Sequence, residues 1–258
     1  MRRIIAGAGR AGVTVRRNAW LGWLLALLAI ALFARLGFWQ LDRMHQKQAM
    51  LDAVQHVLDA REAGPLSLAA DTARTDGYDW AAGDGRFADA PAVILDNQGR
   101  DERPGVRAYR VFLPEGGAPL LVELGWKPLP GDRAMPVVPR PQATRVQGLL
   151  LPPPSPGLAR GTPVAQPDGS LLVIAMDLPT LREALGLGAL APRVLKLDPA
   201  QALPGAPGYA RDLDILPNTL PPDRHLGYAV QWFGLAVAML VIALVLTFRK
   251  PDRKRKRP

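Results

Sequence analysis

The sequence predicts an α+β membrane protein in which two transmembrane helices flank an antiparallel, strand-rich domain. Two long apolar segments stand near the ends of the 258-residue chain, at residues 19–41 and 225–248. A helix rises ~1.5 Å per residue, so each segment can cross a hydrocarbon core of ~30 Å. Residues 42–224 lie between them and contain several short β-type patterns. We expect this domain to be a small barrel or sandwich with one or two helices.

Basic residues beside both apolar segments predict which side of the membrane each part faces. Residues 1–18 contain five arginines and no acid, and residues 249–258 contain seven lysines or arginines against one aspartate. Because basic flanks stay in the cytoplasm, we expect both termini inside and residues 42–224 outside. The two flanks together carry a charge of +11, whereas the whole chain carries +9, so residues 19–248 sum to −2. Attraction to anionic lipid is favoured over nucleic-acid binding.

The first apolar segment has two interpretations, a cleaved signal peptide or a retained anchor. The triplet Ala29-Ile30-Ala31 resembles a cleavage site, but apolar sequence continues past it to Leu41. That run is longer than the ~7–15 residues of a signal-peptide core. We therefore favour the retained anchor, with Trp39 at a membrane interface.

The domain is predicted to begin with helix and loop and to continue with strands. Leu51, Val54 and Leu58 share one helical face, so the first helix is expected to continue to about Ala60. Residues 61–84 are rich in Ala, Asp and Gly and are expected to be loop. Strands are expected at residues 92–96, 109–113, 120–126, 146–151, 171–176 and 194–197, with a short helix from Asp177 to Leu187 and irregular chain in the proline-rich residues 128–163.

The segment from Leu120 to Trp126 shows the clearest alternation of apolar and other residues. This period of two predicts a half-buried strand whose inward side chains enter one core. The inward set is Leu120, Val122, Leu124 and Trp126, and the outward set is Leu121, Glu123, Gly125 and Lys127. The preceding Glu115-Gly116-Gly117 predicts a hairpin turn.

Few chemistries fit the composition. The chain has no cysteine, which excludes disulfides, thiolate zinc sites and haem attachment through CxxCH. Its three histidines, His45, His56 and His225, stand in no HExxH or comparable hydrolytic motif. An enzyme or sensor on a membrane anchor is therefore disfavoured.

His225 is the candidate metal ligand because it opens the second apolar segment beside aromatic residues. On a helix it shares one stripe with Tyr228, Trp232, Leu235 and Met239. A neutral imidazole at the membrane surface can ligate haem iron. The alternative is an ordinary histidine in a cap or a seam between two helices.

Three stretches of the chain resemble the surfeit locus protein 1 family, whose members are assembly factors for cytochrome c oxidase. They are LGFWQLDR at 36–43, a block at 85–128 that includes ILDNQ, PGVRAYRVFLP and LLVELGWKP, and HLGYAVQWFGLA at 225–236. Their order and spacing and the two-span pattern agree over most of the chain. In one departure, members usually read Asn-Arg-Gly-Trp where this chain has Glu123-Leu124-Gly125-Trp126.

The resemblance implies a non-catalytic factor of the cell inner membrane, multi-pass, with a periplasmic domain. It would assist haem a insertion into the catalytic subunit of cytochrome c oxidase, or stabilise that subunit. The expected partners are this subunit, the haem a synthesis machinery and membrane lipid, with no nucleic acid. The alternative is a membrane-tethered scaffold that stabilises a partner subunit by protein contacts without binding haem.

The resemblance also implies site residues. Some bacterial members bind haem a through a histidine at the start of the second span, which is His225 here. Arg43 would pair with a haem propionate or with a lipid headgroup. Further candidates for the haem pocket or the helix seam are Trp39, Gln40, Tyr228, Gln231 and Trp232. Of these, Gln231 is expected to hydrogen-bond to the other helix.

Overall fold

The computed structural model describes residues 11–154, 161–216 and 219–249. The arginines before Ala11, residues 155–160 of the proline-rich region and the basic tail from Lys250 therefore lie outside the described residues. The chain divides into two compact units, one formed by residues 1–49 with 220–258 and the other by residues 50–219. The first unit contains the apolar helices and the second contains the sheet.

Three α-helices and nine β-strands occur in the described ranges. The helices are α1 (Ala11–Ala60), α2 (Leu178–Ala184) and α3 (Pro222–Phe248). The strands are β1 (Gly64–Pro65), β2 (Asp79–Phe87), β3 (Val93–Leu95), β4 (Gly105–Pro114), β5 (Leu120–Pro128), β6 (Arg145–Leu151), β7 (Val164–Ala165), β8 (Leu171–Val173) and β9 (Val194–Leu197).

The helices α1 and α3 are long and apolar enough to cross a membrane, with mean hydropathy of 2.1 and 2.4 over their most apolar stretches. Large apolar side chains on them are exposed, such as Leu25 and Leu246, at 66% and 64%. A core helix of a soluble protein would bury such side chains. The two helices therefore suggest membrane association. As predicted, α1 ends at Ala60, and Arg61 follows with a left-handed φ of 44°.

The sheet closes into a small barrel. The strand order is β1-β2-β6-β9-β5-β4-β3-β8-β7, and β4 also pairs with β2. The extra pairing joins residues 85–87 to residues 112–114, so β2, β6, β9, β5 and β4 form a closed ring. Of the two predicted architectures the structure has the barrel. The sheet is not antiparallel throughout, because β1–β2, β3–β8 and β5–β9 are parallel pairs.

Apolar side chains from all five ring strands form one buried cluster, which fills the barrel. Within it, Phe87 and Phe112 meet edge to face with ring centroids 5.1 Å apart. The irregular chain after β5 contributes Val138, which is 2% exposed. The buried cluster makes the barrel interior a packed structural core.

The strand β5 is buried on both faces, so the prediction of a half-buried strand is wrong. Leu120, Val122 and Leu124 belong to the interior cluster. Leu121 belongs to a second cluster outside the barrel, which includes Leu181 of α2. Sequence alternation could not reveal this outer layer, because α2 and β8 that build it come much later in the chain.

Residues 79–87 form the strand β2, so the expectation of a loop over residues 61–84 is wrong. The rest of that range contains β1 and two short 3₁₀ turns. The sequence DWAAGDGRF lacks the β-branched residues that are typical of strands. Its glycines instead allow neighbouring strands to pack closely against it. A Cβ on Gly85 would collide with the backbone of Leu113 and the ring of Phe112. Glycine is therefore required where the ring closes.

A β-bulge places Trp126 on the other face of β5 from the one predicted. Tyr109 pairs with Glu123, but Ala108 pairs with Gly125, so one residue of β5 is extra. Gly125 has a φ of +126°, which favours glycine. After the bulge Trp126 pairs with Arg107 and lies outside the barrel with it, buried but outside the apolar clusters that the described residues form.

Five charged side chains form an ion network on the outer wall of the barrel, in which the partly exposed Arg100 pairs with Asp212 at 3.0 Å. Arg107, Glu123 and Lys196 are each at most 4% exposed. Arg107 pairs with Glu123, and Lys196 Nζ lies 2.9 Å from Asp212 and 3.7 Å from Glu123. Burial and the Glu123 charge hold the pKa of Tyr109 well above its usual value, so its hydroxyl donates to Glu123 at 3.1 Å. The network fastens the segment around Asp212 to the barrel.

Candidate functional site

The helices α1 and α3 pack as an antiparallel pair along a seam with heptad spacing. On α1 the buried or partly buried seam positions include Ala26, Phe33, Gly37, Gln40 and Lys47. On α3 they include Pro222, His225, Ala229, Trp232 and Ala236. Steps of three and four residues keep one stripe facing the partner, as in a left-handed helix pair. Trp23 of α1 contacts Thr247 near the end of α3, whereas Gln40, later in α1, contacts His225 near the start of α3, which shows the antiparallel direction.

Aromatic rings fill the middle of the seam. Phe33 stacks on Trp232 with ring centroids 5.8 Å apart and an interplanar angle of 28°. Gly37 is buried, and a Cβ there would lie 2.7 Å from the ring of Phe233. The ring of Phe233 also meets Phe38 edge to face at 5.2 Å. The missing side chain of Gly37 therefore gives Phe233 its space.

His225 makes a polar contact across the seam. Its Nδ1 lies 2.7 Å from Oε1 of Gln40, and the two residues are 7% and 9% exposed. The other ring nitrogen, Nε2, is buried and has no hydrogen-bond partner within the described residues. A buried ring nitrogen without a partner is unusual in proteins. It is the atom through which an imidazole would bind a metal.

Two cations of α1 act electrostatically on His225, and they differ in exposure. Lys47 is 8% exposed and donates from Nζ to the carbonyl of Leu220. Arg43 is exposed and donates to Gln46 at 3.0 Å. The end of the seam that contains His225 therefore presents positive charge, which suits an anionic group such as a carboxylate.

The other candidates divide between the seam and its flanks. Trp232 lies in the seam. Tyr228 and Trp39 are 42% and 54% exposed, and Arg43 is exposed, so these three flank the seam. Gln231 is exposed, and the expectation that it hydrogen-bonds to the other helix is wrong. Gln40 makes that contact instead.

Sequence reasoning missed Lys47 and Phe33 as members of the seam. The signal was present, because Phe33, Gln40 and Lys47 are spaced seven residues apart. A heptad places all three on one face of α1. Lys47 was overlooked because a lysine seven residues beyond Gln40 reads as part of the polar outer helix.

Side chains of the described ranges form no group of three or more His, Asp or Glu residues that could hold a metal ion. A metal at His225 would therefore lack a set of three such ligands from the described residues. Haem suits such a site, because the porphyrin supplies four nitrogens and the protein supplies only an axial ligand.

The fold and the seam define a class of protein, a folded β-barrel domain carried between two apolar helices that pack as an antiparallel pair. The family model described as the SURF1 family matches residues 27–237. The chain therefore belongs to the SURF1 family. Members of this family are assembly factors for cytochrome c oxidase rather than catalytic enzymes. A comparison with curated proteins gives no significant match.

Proposed function

We propose that this protein assists haem a insertion into the catalytic subunit of cytochrome c oxidase, with His225 as the residue that would hold the haem iron. Membership of the SURF1 family supports the role in oxidase assembly. The observation that carries the haem proposal is the buried Nε2 of His225, which has no partner within the described residues. In a neutral ring with its proton on Nδ1, this nitrogen would have the lone pair that an iron ligand needs.

The residues around His225 fit the chemistry of haem a. The group supplies an iron that accepts an axial nitrogen, a broad apolar ring and two propionates. Trp232 and the flanking Trp39 and Tyr228 offer aromatic surface to the ring. Arg43 and Lys47 offer cations to the propionates. Because Nε2 is buried, its neighbours must move locally before a ligand reaches it.

A single axial ligand suits a protein that passes haem a on to a partner. A single histidine would hold the group less firmly than two protein ligands would, which would suit its release to a partner. The oxidase catalytic subunit is the acceptor in this proposal, and the haem a synthesis machinery is the source.

Replacing His225 by alanine is expected to remove most of the haem a that copurifies with the full-length protein. The matched control is His45→Ala, which removes an exposed histidine of α1 and should leave the haem content unchanged. The measurement is haem a per protein after purification from haem a-producing cells. An unchanged haem content in His225→Ala, with normal protein abundance, would exclude His225 as the ligand.

We propose that the protein lies in the cell inner membrane with both termini cytoplasmic and the barrel periplasmic. The support is the charge of the flanks, +5 before the first span and +6 after the second. A phosphatase reporter fused near Gly169 should be active, and one fused after Phe248 should be inactive. The reverse pattern would contradict this topology, and so would a mature N-terminus near residue 32.

A further inference from the structure

We propose that Gln40 is a positioning residue that fixes the tautomer and the orientation of the His225 ring. The carbonyl oxygen Oε1 of Gln40 faces Nδ1 of His225 at 2.7 Å. An amide oxygen only accepts hydrogen bonds, so with Oε1 of Gln40 facing the ring we infer that Nδ1 carries the proton. In the neutral ring Nε2 then keeps its lone pair. This inference deepens the proposed function and rests on it for the haem part.

The burial of the pair separates this role from ordinary seam packing. Both residues are less than a tenth exposed, so the Nδ1 proton has no ready access to water. The hydrogen bond at Nδ1 would be enough to join the two helices. The seam nevertheless also buries Nε2, which has no partner within the described residues. Metal-ligating histidines commonly donate their other N–H to a fixed acceptor, which sets the tautomer.

The position of Gln40 explains why its amide stays in place. It lies on the heptad stripe between Phe33, which stacks on Trp232, and Lys47, which binds the carbonyl of Leu220. These contacts hold α1 against α3 on one side of the amide and against the residues just before α3 on the other. Gln40 is also neutral, so it orients the ring without adding a negative charge that would bind the proton more tightly.

Three variants separate the acceptor from the volume of the side chain. Gln40→Leu fills nearly the same space and removes the acceptor. Gln40→Glu keeps an acceptor at the same reach and should rescue the tautomer. The matched control is Trp23→Phe, which removes the 2.9 Å hydrogen bond to Thr247 at the far end of the same helix pair. It disturbs the seam without touching His225.

The first measurement is the ring ¹⁵N spectrum of the haem-free, full-length protein in detergent, in a background with His45→Gln and His56→Gln. His225 is then the remaining histidine of the chain, so the spectrum needs no assignment. We expect Nδ1–H in the parent, in Gln40→Glu and in Trp23→Phe, and predominantly Nε2–H in Gln40→Leu. An Nε2–H ring in the parent would overturn the inference, and so would an unchanged tautomer in Gln40→Leu.

The second measurement is a haem a titration of the same proteins. Gln40→Leu should bind ~10–100-fold more weakly than the parent, as is typical when a metal ligand loses its hydrogen-bond partner. Gln40→Glu and Trp23→Phe should stay within about threefold of it. Equal affinity of Gln40→Leu and the parent would overturn the positioning role. If the parent binds no haem a, the proposed function fails, whereas the ¹⁵N spectrum still decides whether Gln40 sets the tautomer.

Discussion

Replacing Glu123 by glutamine is expected to destabilise the barrel domain by ~3–5 kcal/mol, the usual cost of breaking a buried ion pair. Glu123 is 4% exposed and accepts from Arg107 and from the hydroxyl of Tyr109. Without its charge, Arg107 and Lys196 share the single carboxylate of Asp212, which also pairs with the more exposed Arg100. Two buried cations against one anion leave positive charge uncompensated.

The measurement is thermal unfolding of the full-length protein in detergent. A loss of ~3–5 kcal/mol corresponds to a fall in Tm of roughly 6–20 °C for a domain of this size. The control Glu115→Gln makes the same chemical change at an exposed residue of the β4–β5 turn, and it should leave Tm within about 1–2 °C of the parent. A Glu123→Gln protein that melts with the parent would show that the network does not stabilise the domain.

Replacing Trp126 by alanine should also cost ~3–5 kcal/mol, because it empties the site of a large buried ring. The indole is 6% exposed, and its Nε1 donates to the carbonyl of Gln98 at 2.7 Å. Oxidase activity in cells is then expected to fall through lower abundance of this factor. The stability effect follows from burial and does not depend on which face of β5 carries the ring.

The adjacent Lys127→Ala is the control for Trp126→Ala. Lys127 is partly buried, and its ammonium lies 4.4 Å from the ring centre of Tyr209, a contact worth ~0.5–1 kcal/mol. Lys127→Ala should therefore lower the free energy of unfolding several times less than Trp126→Ala does. If Trp126→Ala melts like the parent and oxidase activity still falls, Trp126 acts as a partner contact rather than as part of the packed domain.

The strands that could be predicted from sequence are those with dense apolar and β-branched content. The segment at 194–197 and the hairpin around Glu115 lie where the pattern indicated. The strand β2 could not be found in this way, because its glycines serve the close approach at Gly85 and its composition is that of a loop. A local sequence pattern indicates only the strand propensity of its own residues. The closure of the barrel depends on contacts between strands that are far apart in the sequence.

The bulge at Gly125 shows a second limit of reading faces from alternation. A period of two assumes an unbroken ladder, and one extra residue moves every later side chain to the opposite face. A glycine within a strand pattern is the available signal for such a break. Here it separates Trp126 from Leu124, with which the alternation had grouped it.

The candidate site was predicted in part. The residue pattern drew attention to His225, and the two-span arrangement indicated a facing helix. The choice of Gln40 rather than Gln231 as the contact across the seam needed the helix pair itself, because both glutamines lie in apolar segments and only one faces inward. The burial of Nε2 likewise depends on packing that the sequence does not state.

The absorption spectrum of the purified full-length protein from haem a-producing cells tests the central claim most directly. The account predicts a haem a spectrum that follows the protein through purification and is lost in His225→Ala but kept in His45→Ala. The haem proposal would be contradicted if the purified protein carries no haem a although oxidase assembly in the same cells still requires this protein. That result would favour a scaffold that stabilises the oxidase subunit by protein contacts alone.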